Sequence, residues 1–304
     1  MSYNIKTYNI KSTDNIHSLF CKIYIPSLPI KGIIQVVHGM NEYIERYNNF
    51  MSFFAEKGYI VVGHDHLGHG KTALNDRELG YFSQKNGWSH LCDDVKSITE
   101  FVKKDYPTLP IYLFGRSMGS FITRITVNRY SNLYDKFIIC GTSGENPLAS
   151  VGLMLTNIFK VIKGDKYVSK FILNMAFSSY NKKFDNITKY EWLTKDREII
   201  NKYINDKFCM FDFTVSAMHD LITLCKKCNI NKWFKDFPKH MPVFIISGSD
   251  DPVGNYGKGV IEVYNKLKKY GSNVTYKLYK NCRHEIHNDS CKDEVFYDIL
   301  NFIK

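Results

Sequence analysis

The sequence lacks any apolar segment long enough to cross a bilayer, and it lacks the pattern of a secretory leader. Its first residues, MSYNIKTYNIKSTDN, contain no apolar core behind a basic start. The longest apolar stretch, VGLMLTNIFKVI from Val151, is too short and too often interrupted to span a membrane. We therefore expect no signal peptide and no membrane span, and we predict a cytoplasmic location.

Disulfide and metal-site patterns are lacking as well. The eight cysteines are scattered along the chain, as is typical of free buried thiols outside the secretory pathway. The one close pair, Cys225 and Cys228 in CKKC, is not followed by a second pair or by histidines at zinc-ligand spacing. In HDHLGHGKT, Asp65 and His69 also lack the spacing of a metal site, so GHG indicates a tight turn. We predict no disulfide, no bound metal and no cofactor.

Nucleic-acid signatures are absent although the chain is basic. Its net charge is +11, from 41 basic and 30 acidic residues. Residues 160–239 alone hold 16 basic residues against nine acidic ones. Without a zinc-finger or other nucleic-acid motif, we expect no nucleic-acid partner. A solvated lysine face is the simplest interpretation, and transient contact of this basic region with an anionic membrane surface is the alternative.

Short apolar runs rich in Val, Ile and Tyr recur along the chain. Six of them are GIIQVVHG, YIVVGHD, PIYLFG, KFIICG, PVFIISG and VTYKLYK. They are typical of buried strands that are apolar on both faces, and segments of helical period lie between most of them. This alternation predicts an α/β fold with a mostly parallel sheet and helices on both of its faces.

The alternation fails in two places. At the start, NIKTYNIKS and SLFCKIYIP look like two strands without a helix between them, which predicts an antiparallel edge. From 146 to 236, aromatic and lysine-rich helical patterns run without a convincing strand. We therefore predict a core made of residues 1–145 and 237–304, with a helical insertion at 146–236.

The segment YLFGRSMGSF contains a G-x-S-x-G pattern formed by Gly115, Ser117 and Gly119. The pattern alone occurs by chance, but here an apolar strand precedes it and a helix-like run follows it, as in a nucleophile elbow. A sharp turn there would hold the Ser117 hydroxyl clear of the backbone, and the glycines would leave room around it. We interpret Ser117 as a nucleophile.

A serine nucleophile requires a general base, which in this architecture follows the acid in the chain. Only His284 and His287, in NCRHEIHND, lie beyond the acidic loop described next. His284 is closer to the end of the last predicted strand, so we prefer it as the base. We expect His287 to lie at the surface or to cap the loop.

The base in turn requires an acid to orient it. The loop after PVFIISG offers Asp250 and Asp251, and Glu145 follows the preceding strand. Asp251 comes before Pro252, which favours an extended and fixed conformation there. Spacing alone leaves the choice between the two aspartates open.

Developing negative charge on a substrate oxygen needs backbone N–H donors. One is expected from the residue after the nucleophile, Met118, and one from the loop after GIIQVVHG, where Met40 follows His38 and Gly39. We predict these two amides as an oxyanion hole.

Five segments occur in an order that matches a known family: HGMNEYIERY, DHLGHGKT, FGRSMGS, SGSDDPVGNYG and CRHE. Over nearly the whole chain they resemble the monoacylglycerol lipase and lysophospholipase-like branch of the α/β-hydrolase fold. The resemblance implies a catalytic triad of Ser117, Asp251 and His284, because the family's acid immediately precedes a step such as PVG. It also implies that the amides of Met40 and Met118 form the oxyanion hole.

The same resemblance implies a function. It suggests a serine carboxylic-ester hydrolase that cleaves small-molecule acyl esters, such as monoacylglycerols or lysophospholipids, through an acyl-serine intermediate. Residues 146–236 would form a cap, or lid, over the acyl pocket. An acyltransferase that uses the same acyl-enzyme is the alternative. A peptidase is less favoured, because HGMNE departs from the glycine-rich HGGPG loop of proline iminopeptidases.

Overall fold

A computed structural model describes residues 2–27 and 29–304. Its sheet has eight strands in the spatial order β1-β2-β4-β3-β5-β6-β7-β8. Their bounds are β1 Tyr3–Lys11, β2 Ser18–Pro26, β3 Gly32–Val37, β4 Tyr59–His64, β5 Ile111–Arg116, β6 Lys136–Cys140, β7 Val243–Gly248 and β8 Val274–Tyr279. Strand β2 pairs antiparallel with both β1 and β4, and the remaining pairings are parallel. The predicted parallel sheet with an antiparallel N-terminal edge is confirmed.

Helices cover both faces of this sheet. They are α1 Asn48–Glu56, α2 Gly87–Asp105, α3 Met118–Arg129, α4 Ala149–Lys163, α5 Lys170–Phe177, α6 Arg197–Ile204, α7 Val215–Asn229, α8 Asn231–Asp236, α9 Lys258–Lys269 and α10 Lys292–Ile303. Along β3, Ile33 and Val37 pack in a core with α2, α3 and α9, whereas Ile34 and Val36 pack in a second core with α1 and α10. This alternation is the two-residue period of a strand that is buried on both faces.

One expectation about the strands is wrong. VTYKLYK was expected to be buried on both faces, but Thr275 and Tyr276 of β8 are exposed. The reason is that β8 ends the sheet and has β7 as its neighbour on one side only. Its Lys277 instead pairs with Glu294 and Asp298 of α10, with nitrogen–oxygen distances of 2.7 and 2.6 Å.

The segment between β6 and β7 contains helices α4 to α8 and no strand, and all of its residues are described. Strands β6 and β7 are hydrogen-bonded neighbours, so the segment leaves the sheet and returns beside its own starting point. Nowhere in residues 2–27 and 29–304 is there a helix with both the length and the apolar character needed to cross a membrane.

Candidate active site

Ser117 occupies a strained turn between β5 and α3. Strand β5 ends at Arg116 and α3 begins at Met118, so a single residue separates the two elements. The backbone of Ser117 has φ 54° and ψ −123°, a conformation that costs a non-glycine residue about 1–3 kcal/mol. Such strain persists only where the surrounding structure enforces it, and it is typical of active sites.

The two glycines of the G-x-S-x-G pattern make this turn possible, because neighbouring atoms lie too close to them to leave room for a side chain. A Cβ on Gly115 would collide with Oγ1 of Thr123 in α3. A Cβ on Gly119 would collide with the carbonyl oxygen of Val37 at the end of β3. The first turn of α3 can therefore lie directly against two neighbouring strands, which places Ser117 at the carboxyl edge of the sheet.

The structure brings together the three residues expected to form a triad. His284 Nε2 lies 2.9 Å from Ser117 Oγ, and His284 Nδ1 lies 2.8 Å from Asp251 Oδ2. Asp251 also accepts hydrogen bonds from the Ser247 hydroxyl and the Val253 amide, each at 2.9 Å. Burial alone would raise the pKa of Asp251, but His284 and these donors hold that pKa below its usual range.

The other acids and the second histidine lie elsewhere. Asp250 is half-buried and accepts a hydrogen bond from the Ser249 hydroxyl at 2.9 Å. Glu145 is exposed and pairs with Lys266 at 3.1 Å.

The expectation that His287 lies at the surface or caps the loop is wrong. Its ring is buried and stacks on Tyr47 at a centroid distance of 4.7 Å.

Met40 and Met118 carry the two amides that the sequence predicts as an oxyanion hole. Among the described residues, neither N–H donates to another protein group. Both residues line the same cavity as Ser117. A Cβ on Gly39 would lie 2.9 Å from Cβ of Ser117, so the loop that carries Met40 lies directly against the nucleophile turn. Two free donors at this place suit an oxygen that becomes negatively charged.

The GHG segment forms the expected turn. His69 N donates to the His66 carbonyl at 3.0 Å, and Thr72 N donates to the His69 carbonyl at 3.2 Å. The Asp65 carboxylate accepts from the amides of Ile44 and Lys71, at 2.8 and 2.7 Å. These contacts are structural. Within the described residues, no group of His, Cys, Asp and Glu side chains could hold a metal ion.

A cavity of about 1100 Å³ lies beside Ser117 and His284. Side chains of residues 146–236 form much of its wall, with aromatic and aliphatic groups predominating: Leu173, Ala176, Phe177, Tyr180, Trp192, Met218, Leu221 and Ile222. The ring of Trp192 lies 5.2 Å from that of His284, centroid to centroid. A cavity of this size, with these apolar groups in its wall, can accept an aliphatic chain next to the Ser117 hydroxyl.

Four buried charged residues beside the triad were not predicted. Glu42 and Arg46 lie in and after the loop that follows β3, Arg116 precedes Ser117, and Glu285 follows His284. The available signal was a charged residue in GRSMG, at the end of an otherwise apolar strand. The partners of Arg116 come from distant parts of the chain, so the sequence alone did not pair them.

Comparisons with known proteins place the chain in a family. Residues 29–291 match the model of a family described as serine aminopeptidase, S33. A monoglyceride lipase homolog of Monkeypox virus is 22% identical over 94% of this chain and 92% of its own length. Human monoglyceride lipase is 23% identical over 92% of this chain and 85% of its own length.

A solved structure supports the same assignment. A thermostable carboxyl esterase from Bacillus coagulans, crystallised with glycerol, has a TM-score of 0.92 and 31% identity. The match covers 100% of this chain and 98% of the esterase. The chain therefore belongs to the serine aminopeptidase S33 family, and it is a serine hydrolase with the α/β-hydrolase fold.

Proposed function

We propose that this protein hydrolyses carboxylic esters of fatty acyl chains, with monoacylglycerols or lysophospholipid-like esters as substrates, through an acyl-serine intermediate. The observation that carries the proposal is the hydrogen-bonded series from Asp251 through His284 to Ser117 at the wall of a large cavity with many aromatic and aliphatic side chains. The similarity to monoglyceride lipases and to a carboxyl esterase supports an ester as the substrate.

The proposed reaction has two steps. Ser117 Oγ attacks the ester carbonyl while His284 Nε2 accepts its proton, and the N–H groups of Met40 and Met118 stabilise the negative oxygen. His284 then donates the proton to the leaving alcohol, and the acyl group stays on Ser117. Water, activated by His284, attacks the acyl-serine, releases the fatty acid and restores the hydroxyl. Asp251 holds the imidazole in the required tautomer and stabilises its positive charge.

Residues 146–236 are proposed to act as a cap that contacts membrane lipid. Helices α4 and α5, with Leu148 just before α4, expose a row of apolar side chains to solvent: Leu148, Val151, Met154, Ile158, Val161, Ile162, Phe171 and Met175. Lysines flank this row, among them Lys160, Lys163 and Lys170. Apolar side chains with lysines around them suit the boundary of an anionic bilayer, from which an acyl ester would enter the cavity. A cytoplasmic location stays a prediction.

A fluorophosphonate probe tests the proposed nucleophile. It should label the wild-type protein at one site, and Ser117→Ala should abolish both the labelling and the hydrolysis of p-nitrophenyl butyrate. Labelling that survives the substitution would exclude Ser117 as the nucleophile. Product analysis with a competing alcohol then distinguishes hydrolysis from acyl transfer, because a transferase yields the new ester in place of the free acid.

A further inference from the structure

A group of four charged side chains is buried directly behind the triad. The buried ion cluster consists of Glu42, Arg46, Arg116 and Glu285, whose side chains are between 0 and 9% exposed. Arg116 Nη1 lies 2.9 Å from Glu42 Oε2 and 3.6 Å from Glu285 Oε1. Arg46 Nη2 lies 2.9 and 2.7 Å from the two carboxylate oxygens of Glu285. Two cations and two anions thus form a closed and neutral set.

Three members of the cluster belong to different parts of the site. Arg116 is bonded through the backbone to Ser117, and Glu285 is bonded to His284. Glu42 accepts a hydrogen bond from the amide of Gly39, the residue before Met40, and a second from the Tyr47 hydroxyl. The nucleophile turn, the histidine loop and the loop with the predicted oxyanion donor therefore meet at one guanidinium group.

Given the proposed function, on which this inference rests, we propose that Arg116 is a positioning residue. By its ion pairs to Glu42 and Glu285, it fixes the loops that carry Met40 and His284 relative to Ser117. A displacement of about 1 Å among reacting groups can cost two orders of magnitude in rate. Because Arg116 connects these two loops next to Ser117, its ion pairs directly affect the rate of the chemical step.

The cluster is poorly explained by stability alone. Buried ion pairs often contribute nothing to stability, since the cost of removing the charges from water offsets their attraction. Here several polar atoms also lack a hydrogen-bond partner in the described chain: Glu42 Oε2, Arg46 Nε, Arg116 Nε and Arg116 Nη2. The pair between Arg116 and Glu42 is close but not aligned as a hydrogen bond. An arrangement that contributes little to stability, at an active site, suggests a role in function.

The four groups stay charged near neutral pH. Burial alone would raise the pKa of Glu285, but Arg46 and Arg116 hold that pKa at about 2. Glu42 likewise has a lowered pKa because of Arg116 and Arg46, despite its burial. His287, which also faces the cluster, has a pKa of about 4 and is neutral at pH 7, because burial and the charge of Arg116 lower it.

The test compares Arg116→Met, Glu285→Gln and the double variant with wild type. Each single variant leaves an unbalanced charge, so we expect both a lower Tm and a kcat lower by about 10- to 100-fold on p-nitrophenyl butyrate. The double variant retains only Glu42 and Arg46, which balance each other. We expect its Tm to recover towards wild type, while kcat stays low because the loops are no longer connected.

The readouts separate positioning from other roles. Recovery of kcat together with Tm in the double variant would overturn the proposal, because it would make the cluster a stability element only. A rise in KM as large as the fall in kcat would also overturn it, since Arg116 and Glu285 border the cavity and would then be binding substrate. Wild-type turnover and fluorophosphonate labelling test the proposed function separately.

A second variant serves if the others do not fold. Arg116→Lys keeps the charge, but its ammonium nitrogen ends one bond short of the position of Nη1, the atom of Arg116 that lies near both carboxylates. We expect a near-wild-type Tm with a lowered kcat, and an unchanged kcat would overturn the proposal. Asp94→Asn is the matched control, because Asp94 is equally buried but ties Ser12 and Thr13 to α2, far from the triad in the fold. It should lower Tm and leave kcat unchanged.

Discussion

The carboxylate of Asp251 lies 2.8 Å from Nδ1 of His284, whereas its neighbour Asp250 faces Ser249 instead. Asp251→Asn should therefore lower kcat by about 10⁴-fold, because an amide in this place stabilises the wrong tautomer of the imidazole. Asp250→Asn is the matched control and should keep kcat within about twofold, as a substitution outside the hydrogen-bonded series. Steady-state kinetics on p-nitrophenyl butyrate measure both. Equal losses in the two variants would contradict this assignment of the acid.

The cavity wall should determine which acyl chains are accepted. Leu173 of α5 lines the cavity and is otherwise buried, so Leu173→Trp would fill part of the space available to an aliphatic chain. We expect kcat/KM for a p-nitrophenyl ester of a twelve-carbon acid to fall at least tenfold, because the lost space corresponds to several buried methylene groups at about 0.8 kcal/mol each.

The acetate ester is the internal control for this variant. Its acyl group has only two carbons, so we expect little contact with the new indole ring and a kcat/KM within about twofold of wild type if the triad is undisturbed. Equal losses for the two esters would show that the acyl chain does not occupy this part of the cavity.

The exposed row on α4 should govern binding to vesicles. Val161 and Ile162 are 87% and 68% exposed, between Lys160 and Lys163. Replacing both with Asp should weaken binding to vesicles rich in phosphatidylglycerol at least tenfold, because each buried aliphatic side chain contributes about 1.5 kcal/mol or more. Co-sedimentation with the vesicles measures this binding. Ile16→Asp, which changes a side chain 74% exposed on the β1–β2 connection, is the control. An equal loss there would contradict docking through α4.

Much of this site could be predicted from the sequence because its signals are local. The elbow is the end of a strand, a turn and the first turn of a helix, all within the segment YLFGRSMGSF. The spacing of Gly115 and Gly119 follows from the close contacts that the turn requires. The sheet could be predicted for the same reason, since a buried strand reveals itself by a run of apolar side chains.

The burial of polar residues by partners distant in the sequence could not be predicted in this way. Arg116 and His287 are polar residues, and polar residues usually lie at the surface. Both are buried here because distant segments supply their partners, Glu42 and Glu285 for the guanidinium and Tyr47 for the ring. No local pattern in the sequence connects these positions.

A buried histidine should make the fold sensitive to acid. His64, on β4, is fully buried, and neither ring nitrogen has a hydrogen-bond partner among the described residues. Burial lowers its pKa to about 3. Since the folded pKa is below the unfolded value of about 6.5, the unfolded chain binds a proton that the folded protein does not. The stability that His64 contributes is therefore present above pH 6.5 and is lost as the pH falls towards 3.

His64→Leu should remove this dependence. Relative to the variant, the wild-type free energy of unfolding should fall by up to about 1.4 kcal/mol per pH unit between pH 6 and pH 4. Urea unfolding at several pH values measures the difference. Val62→Ala on the same strand is the control, because it loses apolar contacts but no titrating group. The difference in its free energy of unfolding from wild type should not change with pH. If the difference in free energy of unfolding between wild type and His64→Leu is the same at every pH, His64 takes up its proton in the folded protein. Water would then reach the ring within the native state.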